Sequence, residues 1–370
     1  MAANEENTAA PDLAEIRNRI NDIDERIQAL INERARFAQQ VGVAKGELAS
    51  AVDYYRPERE AEILRTIKER NEGPLRDEEM LRLFREIMSA CLAQQEPLKI
   101  GFLGPEGTFT QIAVFKHFGH SVRALPFHTI DEVFQEVESG VSDFGVIPIE
   151  NSTEGSVNNT LDMFLTSPLK IAGEIELRIE QHLLGKMAGL DSIERICAHE
   201  QSLAQCRGWL REYLPHVELI GMSSNAAGAR RARDEEGTAA IGPDVAADVY
   251  DLKVMVSGIE DRADNSTRFL VVGRELLAAS GNDKTTLLVS TADTGGGAGV
   301  LHSLLKPLAE HGVVMTFIES RPSRRKNWDY VFFIDIEGHA NESPVADALA
   351  MLEKESSLFR VLGAYPKAVS

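Results

Sequence analysis

Between residues 12 and 95 the chain carries almost no strand signal, and its apolar residues recur at helical spacing. Leu13, Ile16, Ile20, Ile23, Ile27 and Leu30 alternate steps of three and four, and Phe37, Val41 and Ala44 extend the same seam. This heptad period predicts one helix of roughly 35 residues, about 50 Å long at ~1.5 Å per residue. Asp12, with Glu15 three positions on, supplies its N-cap. A second helix is predicted from Pro57, a residue suited to a first helical turn, to a stop near Gly73 and Pro74. A third carries Leu81, Phe84, Met88 and Cys91 on one face. Periodicity alone describes a coiled-coil dimerisation module over residues 12–96, preceded by a disordered tail, 1–11.

Certain charges sit badly in such a module. Arg34 falls one heptad after Ile27, where the next apolar a-type residue belongs, and Gln95 falls where the third helix's seam should continue after Cys91. Glu60 shares a face with Ile63, Leu64 and Ile67, while Arg17, Lys45 and Arg59 flank these faces. A buried ion is costly unless paired, so inward polar residues on three helices point to a polar cavity. A single buried polar residue that sets register is the alternative.

From Leu98 short apolar runs alternate with amphipathic ones. Residues 98–103, 122–125, 144–149, 193–198, 217–221 and 238–242 read as strands of an α/β fold, with room for two lobes and a cleft. Polar clusters fall at or near the ends of several of these elements, where open α/β sheets bind ligands. They are GPEGTFT (104–110), ENSTEGS (150–156), His199 with Gln201 and Gln205, Asn225, and Thr267 with Arg268. From Lys284 onward the order is βαββαβ, as in ferredoxin-like regulatory modules. Here a glycine-rich turn opens a helix and Glu319 to Pro322 end a strand with both signs of charge, as an amino-acid zwitterion requires.

The net charge of −19 argues against nucleic acid or an anionic membrane as partner. Three cysteines without CxxC spacing fit reduced thiols rather than disulfides or zinc. The acidic start resembles no signal peptide and no apolar run is long enough to span a bilayer, so a soluble, cytoplasmic protein is expected.

Three sets of motifs resemble known families. IRNRI, NERARFAQQVGVAK, RPEREAEIL and SACLAQQ resemble the helical type of chorismate mutase. That resemblance implies Arg17, Arg34 and Arg59 as carboxylate partners, Lys45 and Gln95 as donors to the ether oxygen, and Glu60 as acceptor from the substrate hydroxyl. It also implies a dimer in which Arg17 crosses to the other subunit. GPEGTFT, IENSTEGSV and TRF resemble prephenate dehydratase, across about residues 97–276, with two lobes like those of periplasmic solute-binding proteins. This implies Thr267 as proton donor, with Asn151, Ser152, Thr153, His199, Gln201, Gln205 and Phe269 lining the cleft and Arg268 binding a carboxylate. GAGVLHSLL and IESRPSRR resemble an ACT domain, residues 284–367. It implies a phenylalanine site from Gly299, Val300, Leu301, His302, Glu319, Ser320, Arg321 and Pro322 at a dimer interface. The expected architecture is therefore multidomain: an all-α mutase domain, a two-lobed α/β domain and an α+β ferredoxin-like domain. The domain order is that of bifunctional chorismate mutase–prephenate dehydratases, acting on chorismate and prephenate under feedback by L-phenylalanine, as a homodimer or tetramer. No metal or organic cofactor is implied. A dehydratase with an inert helical arm, and a non-catalytic aromatic sensor, are the competing readings.

Overall fold

A computed structural model describes residues 12–45, 55–291, 299–323 and 330–369. The predicted tail (1–11) and the basic run after Ser323 lie outside these residues. Lys45 and Val300 end or begin helices, and their side chains also lie outside the described set.

The helical zone forms α1 (Leu13–Lys45), α2 (Pro57–Arg70) and α3 (Asp77–Leu92). Leu64, Leu81 and Met88 bury the contact between α2 and α3, with Ile63, Ile67 and Phe84 packed around them. The long helix behaves differently. Leu13, Ile20, Ile23, Ile27, Leu30, Phe37 and Val41 are each about half exposed, so its apolar seam is uncovered in the single chain.

The α/β zone is two lobes. The first sheet orders its strands β2 (Arg123–Phe127), β1 (Lys99–Leu103), β3 (Phe144–Asn151), β11 (Ser266–Gly273) and β5 (Lys170–Arg178), with β4 (Gly155–Ser156) hairpinned onto β3. The second orders β10 (Lys253–Val256), β6 (His182–Gly185), β9 (Thr238–Gly242), β7 (Arg195–His199) and β8 (Glu218–Met222). The chain enters the second lobe between β5 and β6 and returns between β10 and β11. The strands β5, β6 and β10 were absent from the sequence-based expectation. In β5 and β10 Val or Ile is mixed with Glu, Lys or Met, and β6 is only four residues long, so none stands out from the helical candidates.

The third sheet is antiparallel, β13 (Met315–Pro322), β14 (Tyr330–Glu337), β12 (Asp283–Thr291) and β15 (Ser356–Pro366), with α11 (Val300–Glu310) and α12 (Val345–Glu355) between strands. This is the predicted βαββαβ order. Its outer face joins the first lobe in one core, where Leu288, Phe333, Leu362 and Tyr365 pack with Ile147, Phe164, Ile171 and Leu270. The approach is close enough that a Cβ at Gly363 would stand 2.3 Å from the Ile171 carbonyl oxygen. Among the described residues no helix is long and apolar enough to cross a membrane.

Candidate active sites

The cleft between the two lobes is a cavity of about 460 Å³. Its floor comes from β3 and β11, which are antiparallel neighbours with Asn151 opposite Thr267 and Glu150 opposite Arg268. Successive side chains of a strand face opposite ways. Thr267 and Phe269 therefore line the cleft, and Arg268 between them cannot.

Asn151 is held from both ends. Its Oδ1 accepts from Thr153 N (3.0 Å), Thr153 Oγ1 (2.6 Å) and Glu154 N (3.2 Å), which assigns its Nδ2 as the outward donor. That Nδ2 donates to Thr267 Oγ1 at 2.8 Å and to Asn265 Oδ1 at 3.1 Å. A hydroxyl oxygen that accepts a hydrogen bond becomes a stronger donor through its own proton. The dense hydroxyl and amide content of residues 150–156 thus serves to aim one carboxamide. Ser152 joins the same loop, accepting from Ser266 N and donating to Asn265 Oδ1. Ser152 and Thr153 were expected to line the cleft; the Thr153 hydroxyl bonds Asn151 and that of Ser152 bonds Asn265 instead.

On the opposite wall, Ser224 caps helix α9 (Asn225–Asp234) by accepting from Ala227 N. This helix lies so close to β7 that a Cβ at Gly228 would meet the Cys197 carbonyl oxygen at 2.2 Å. Asn225 is thereby fixed at the cleft, where it accepts from His199 N (2.9 Å) and donates to Ser202 Oγ (2.8 Å). Gln181 donates to Ser202 Oγ (3.2 Å) and Gln205 Oε1 (3.1 Å), and its own Oε1 is buried without a partner. His199, Gln201 and Gln205 face the cleft as expected. Gln181 and Ser202 were missed: Ser202 was passed over between Gln201 and Gln205, and Gln181 precedes a strand the sequence does not announce.

The lining residues include no Lys or Arg among those described. Arg268, expected to bind a carboxylate there, points instead to the third sheet, where its Nη1 donates to Asp335 Oδ2 at 2.6 Å. Anionic groups in the cleft are left to neutral amides and hydroxyls and to helix starts. One start is α9. The other is α4 (Phe109–Phe118), where Thr108 caps the helix. The amide of Gly107 in that turn is already used, donating to Gln111 Oε1 at 2.7 Å. Across the mouth, Tyr250 of the second lobe donates to the Glu106 carbonyl oxygen of the first at 2.9 Å.

In the helical domain Gln95 Nε2 donates to the Ala38 carbonyl oxygen of α1 at 2.6 Å, and its Oε1 is buried without a partner. Gly42 makes the room, since a Cβ there would lie 2.7 Å from Gln95 Nε2. Glu60 faces a cavity with Tyr55, Arg85, Lys116 and His117. Burial pushes its carboxyl up to about 7, against the pull of the Arg85 and Arg34 guanidiniums. The same burial, aided by Arg85, lowers His117 to about 3 and keeps it neutral. Arg85 was not anticipated. Arg59, expected to join Glu60, is exposed and pairs with Glu62, because adjacent residues of a helix diverge by 100°. Arg17 is exposed near the far end of α1, about 25 Å along the axis from Arg34 at ~1.5 Å per residue.

In the third domain, Gly299 (φ +96°), Leu301 and His302 stand at the start of α11, at the same end of the sheet as the C-terminus of β13. Ser320 and Pro322 are exposed. The two charges beside them are turned inward, contrary to expectation. Glu319 accepts from Ser156 Oγ (3.2 Å), and Arg321 donates to Asn158 Oδ1 (2.6 Å) and Asp162 Oδ1 (3.0 Å). Alternation along β13 is again the reason. Among the described residues no group of three His, Cys, Asp or Glu could hold a metal ion.

Three family models match in series: chorismate mutase type II over residues 16–96, prephenate dehydratase over 100–276 and the ACT domain over 297–353. A bifunctional chorismate mutase/prephenate dehydratase of Pseudomonas aeruginosa is 51% identical over 361 residues, covering 96% of this chain and 98% of that one. The protein of the same description from Escherichia coli is 30% identical and covers 97% of each. The crystal structure of an Arthrobacter aurescens prephenate dehydratase in complex with L-Phe superposes with a TM-score of 0.67 at 36% identity, over 73% of this chain and 90% of that one. With all three domains matched in order and along nearly its whole length, the chain belongs to the bifunctional chorismate mutase/prephenate dehydratase family.

Proposed function

We infer that the chain converts chorismate to prephenate in its helical domain and prephenate to phenylpyruvate in the interlobe cleft, and that L-phenylalanine inhibits it through the third domain. The observation that carries the second step is the Asn151–Thr267 pair. Prephenate must lose a hydroxyl and a carboxylate together. The electrons of the breaking C–C bond enter the ring, CO₂ departs, and the C–O bond breaks toward the hydroxyl. That hydroxyl needs a proton to leave as water. Thr267, its oxygen accepting from Asn151, donates that proton and regains one from solvent. The substrate's two carboxylates meet amides and hydroxyls rather than cations, and Gln181 Oε1 offers an acceptor for a substrate hydroxyl.

The first step needs no nucleophile, only a held conformer and stabilised charge on the breaking ether oxygen. Arg34, Glu60 and Gln95 support that reading, and Lys45 follows by resemblance alone. Arg17 lies too far along α1 to serve the same chain's site. The exposed seam of α1 supports a homodimer in which a second copy covers it and brings its Arg17 across. At the effector end, Gly299, Leu301, His302, Ser320 and Pro322 sit on an edge strand and a helix start that a second copy would complete.

A time course on purified protein tests the whole reading, with chorismate, prephenate and phenylpyruvate quantified separately, with and without L-phenylalanine. Phenylpyruvate that accumulates, and falls when phenylalanine is added, supports it. Chorismate left untouched while supplied prephenate is consumed would reduce the helices to an assembly arm. Neither substrate consumed would overturn it.

A further inference from the structure

A buried charge cluster lies where the third sheet meets the floor of the cleft. Arg268 Nη1 donates to Asp335 Oδ2 at 2.6 Å and stands 3.6 Å from Glu174 Oε2, while its Nε is 3.6 Å from Glu150 Oε2. Its guanidinium carbon is 5.0 Å from the centre of the Phe317 ring. Asp335 is only 2% exposed. Its second oxygen accepts from Thr286 Oγ1 at 2.7 Å, and that hydroxyl is 2.9 Å from Tyr365 Oη. Lys284 completes the set by donating to Glu174 Oε2 at 2.6 Å. The carboxylate that Arg268 meets at shortest range thus belongs to the third domain, and it is itself locked in place by two further residues of that domain.

The register gives this cluster a consequence for chemistry. Glu150 and Arg268 face each other across β3 and β11, one step from the Asn151–Thr267 pair. The two pairs lie on opposite faces of the same two strands, about 3.3 Å apart along the chain. Whatever fixes Arg268 against Asp335 fixes the backbone that aims Thr267 at the cleft. We propose that Asp335 is a positioning residue for the dehydration step: through Arg268 it holds β3 and β11 so that Asn151 and Thr267 stay aligned. This rests on the dehydratase reading of the cleft.

Asp335→Asn in the full-length protein removes the charge while preserving size and the bond from Thr286. The expected result is a fall in dehydratase kcat of about 10- to 100-fold, the scale set by ångström-level misplacement of a catalytic group. KM for prephenate should stay within about twofold, because no cleft-lining group is touched, and the mutase rate should be unchanged. Lys170→Met is the comparison, since Lys170 ties β5 to the Val361 carbonyl oxygen of the third domain at 2.8 Å without touching this cluster. It should leave kcat intact. A D335N kcat within twofold of wild type, or a loss of kcat matched by K170M, would overturn the proposal. Should D335N lose mutase turnover too, as an unfolded protein would, Arg268→Lys decides on the same kcat and KM criterion. Wild-type protein that fails to consume prephenate would sink the functional reading instead.

Discussion

Asn151 Nδ2 lies 2.8 Å from Thr267 Oγ1, and the two residues are direct partners across antiparallel strands. On the proposed mechanism, removing the hydroxyl removes the proton donor. Thr267→Ala should lower dehydratase kcat by about 10²- to 10⁴-fold, the usual range for a general acid, and leave the mutase rate unchanged. Thr267→Ser should retain most of the activity. Asn151→Ala, which leaves the hydroxyl unaimed, should fall between them. Steady-state rates on supplied prephenate check all three.

Glu60 supplies a pH signature for the other reaction. In the proposed role of acceptor for a substrate hydroxyl it would have to be ionised, and burial raises its carboxyl to about 7. Mutase kcat/KM should therefore rise with pH through that value, and Glu60→Gln should abolish both the rise and most of the rate. Stability runs the opposite way. The folded value lies above the ordinary one, so Glu60's favourable contribution is present below about pH 4.5 and is lost as pH climbs through 7. Denaturant titrations at pH 8 should find E60Q more stable than wild type, by at most about 3 kcal/mol.

The uncovered seam of α1 predicts assembly. Ile20 and Ile27, each about half exposed in the single chain, would be buried by a second copy. Ile20→Glu should weaken the dimer, measured by sedimentation. It should cost mutase activity far more than dehydratase activity, because only the former would borrow Arg17. A monomeric variant with full mutase activity would contradict the crossing arginine.

Tyr250 reaches across the cleft mouth to the Glu106 carbonyl oxygen. One hydrogen bond contributes about 1 kcal/mol net. Tyr250→Phe should lower dehydratase kcat/KM by up to about fivefold, with no change in the mutase. A larger loss would mean that Tyr250 contacts substrate.

Much of this was readable in the amino acids. The seam of α1, the strand runs after Leu98, the βαββαβ order and the polar knots at 151 and 267 all follow from local pattern. What escaped depends on strand parity and long-range pairing. Arg268 reads as a partner of Thr267 because it is next to it, yet alternation places it on the other face. Glu319 and Arg321 read as a zwitterion site for the same reason. Gln181, between Glu180 and His182, reads as part of an ordinary polar turn and reaches the cleft because β6 pairs with β9, 56 residues later in the chain as counted from His182 to Thr238. Arg85 was hidden on the helix face turned toward the next domain.

Leu288, Phe333, Leu362 and Tyr365 share one core with Ile147, Phe164 and Ile171. A sensor joined by a tether could be cut away to leave a deregulated enzyme. Here the cut would strip the outer face of the first lobe. Ending the chain near residue 278 should give insoluble dehydratase rather than one insensitive to phenylalanine. Escape from feedback by deletion of the sensor should therefore carry a stability cost that substitution within it would not.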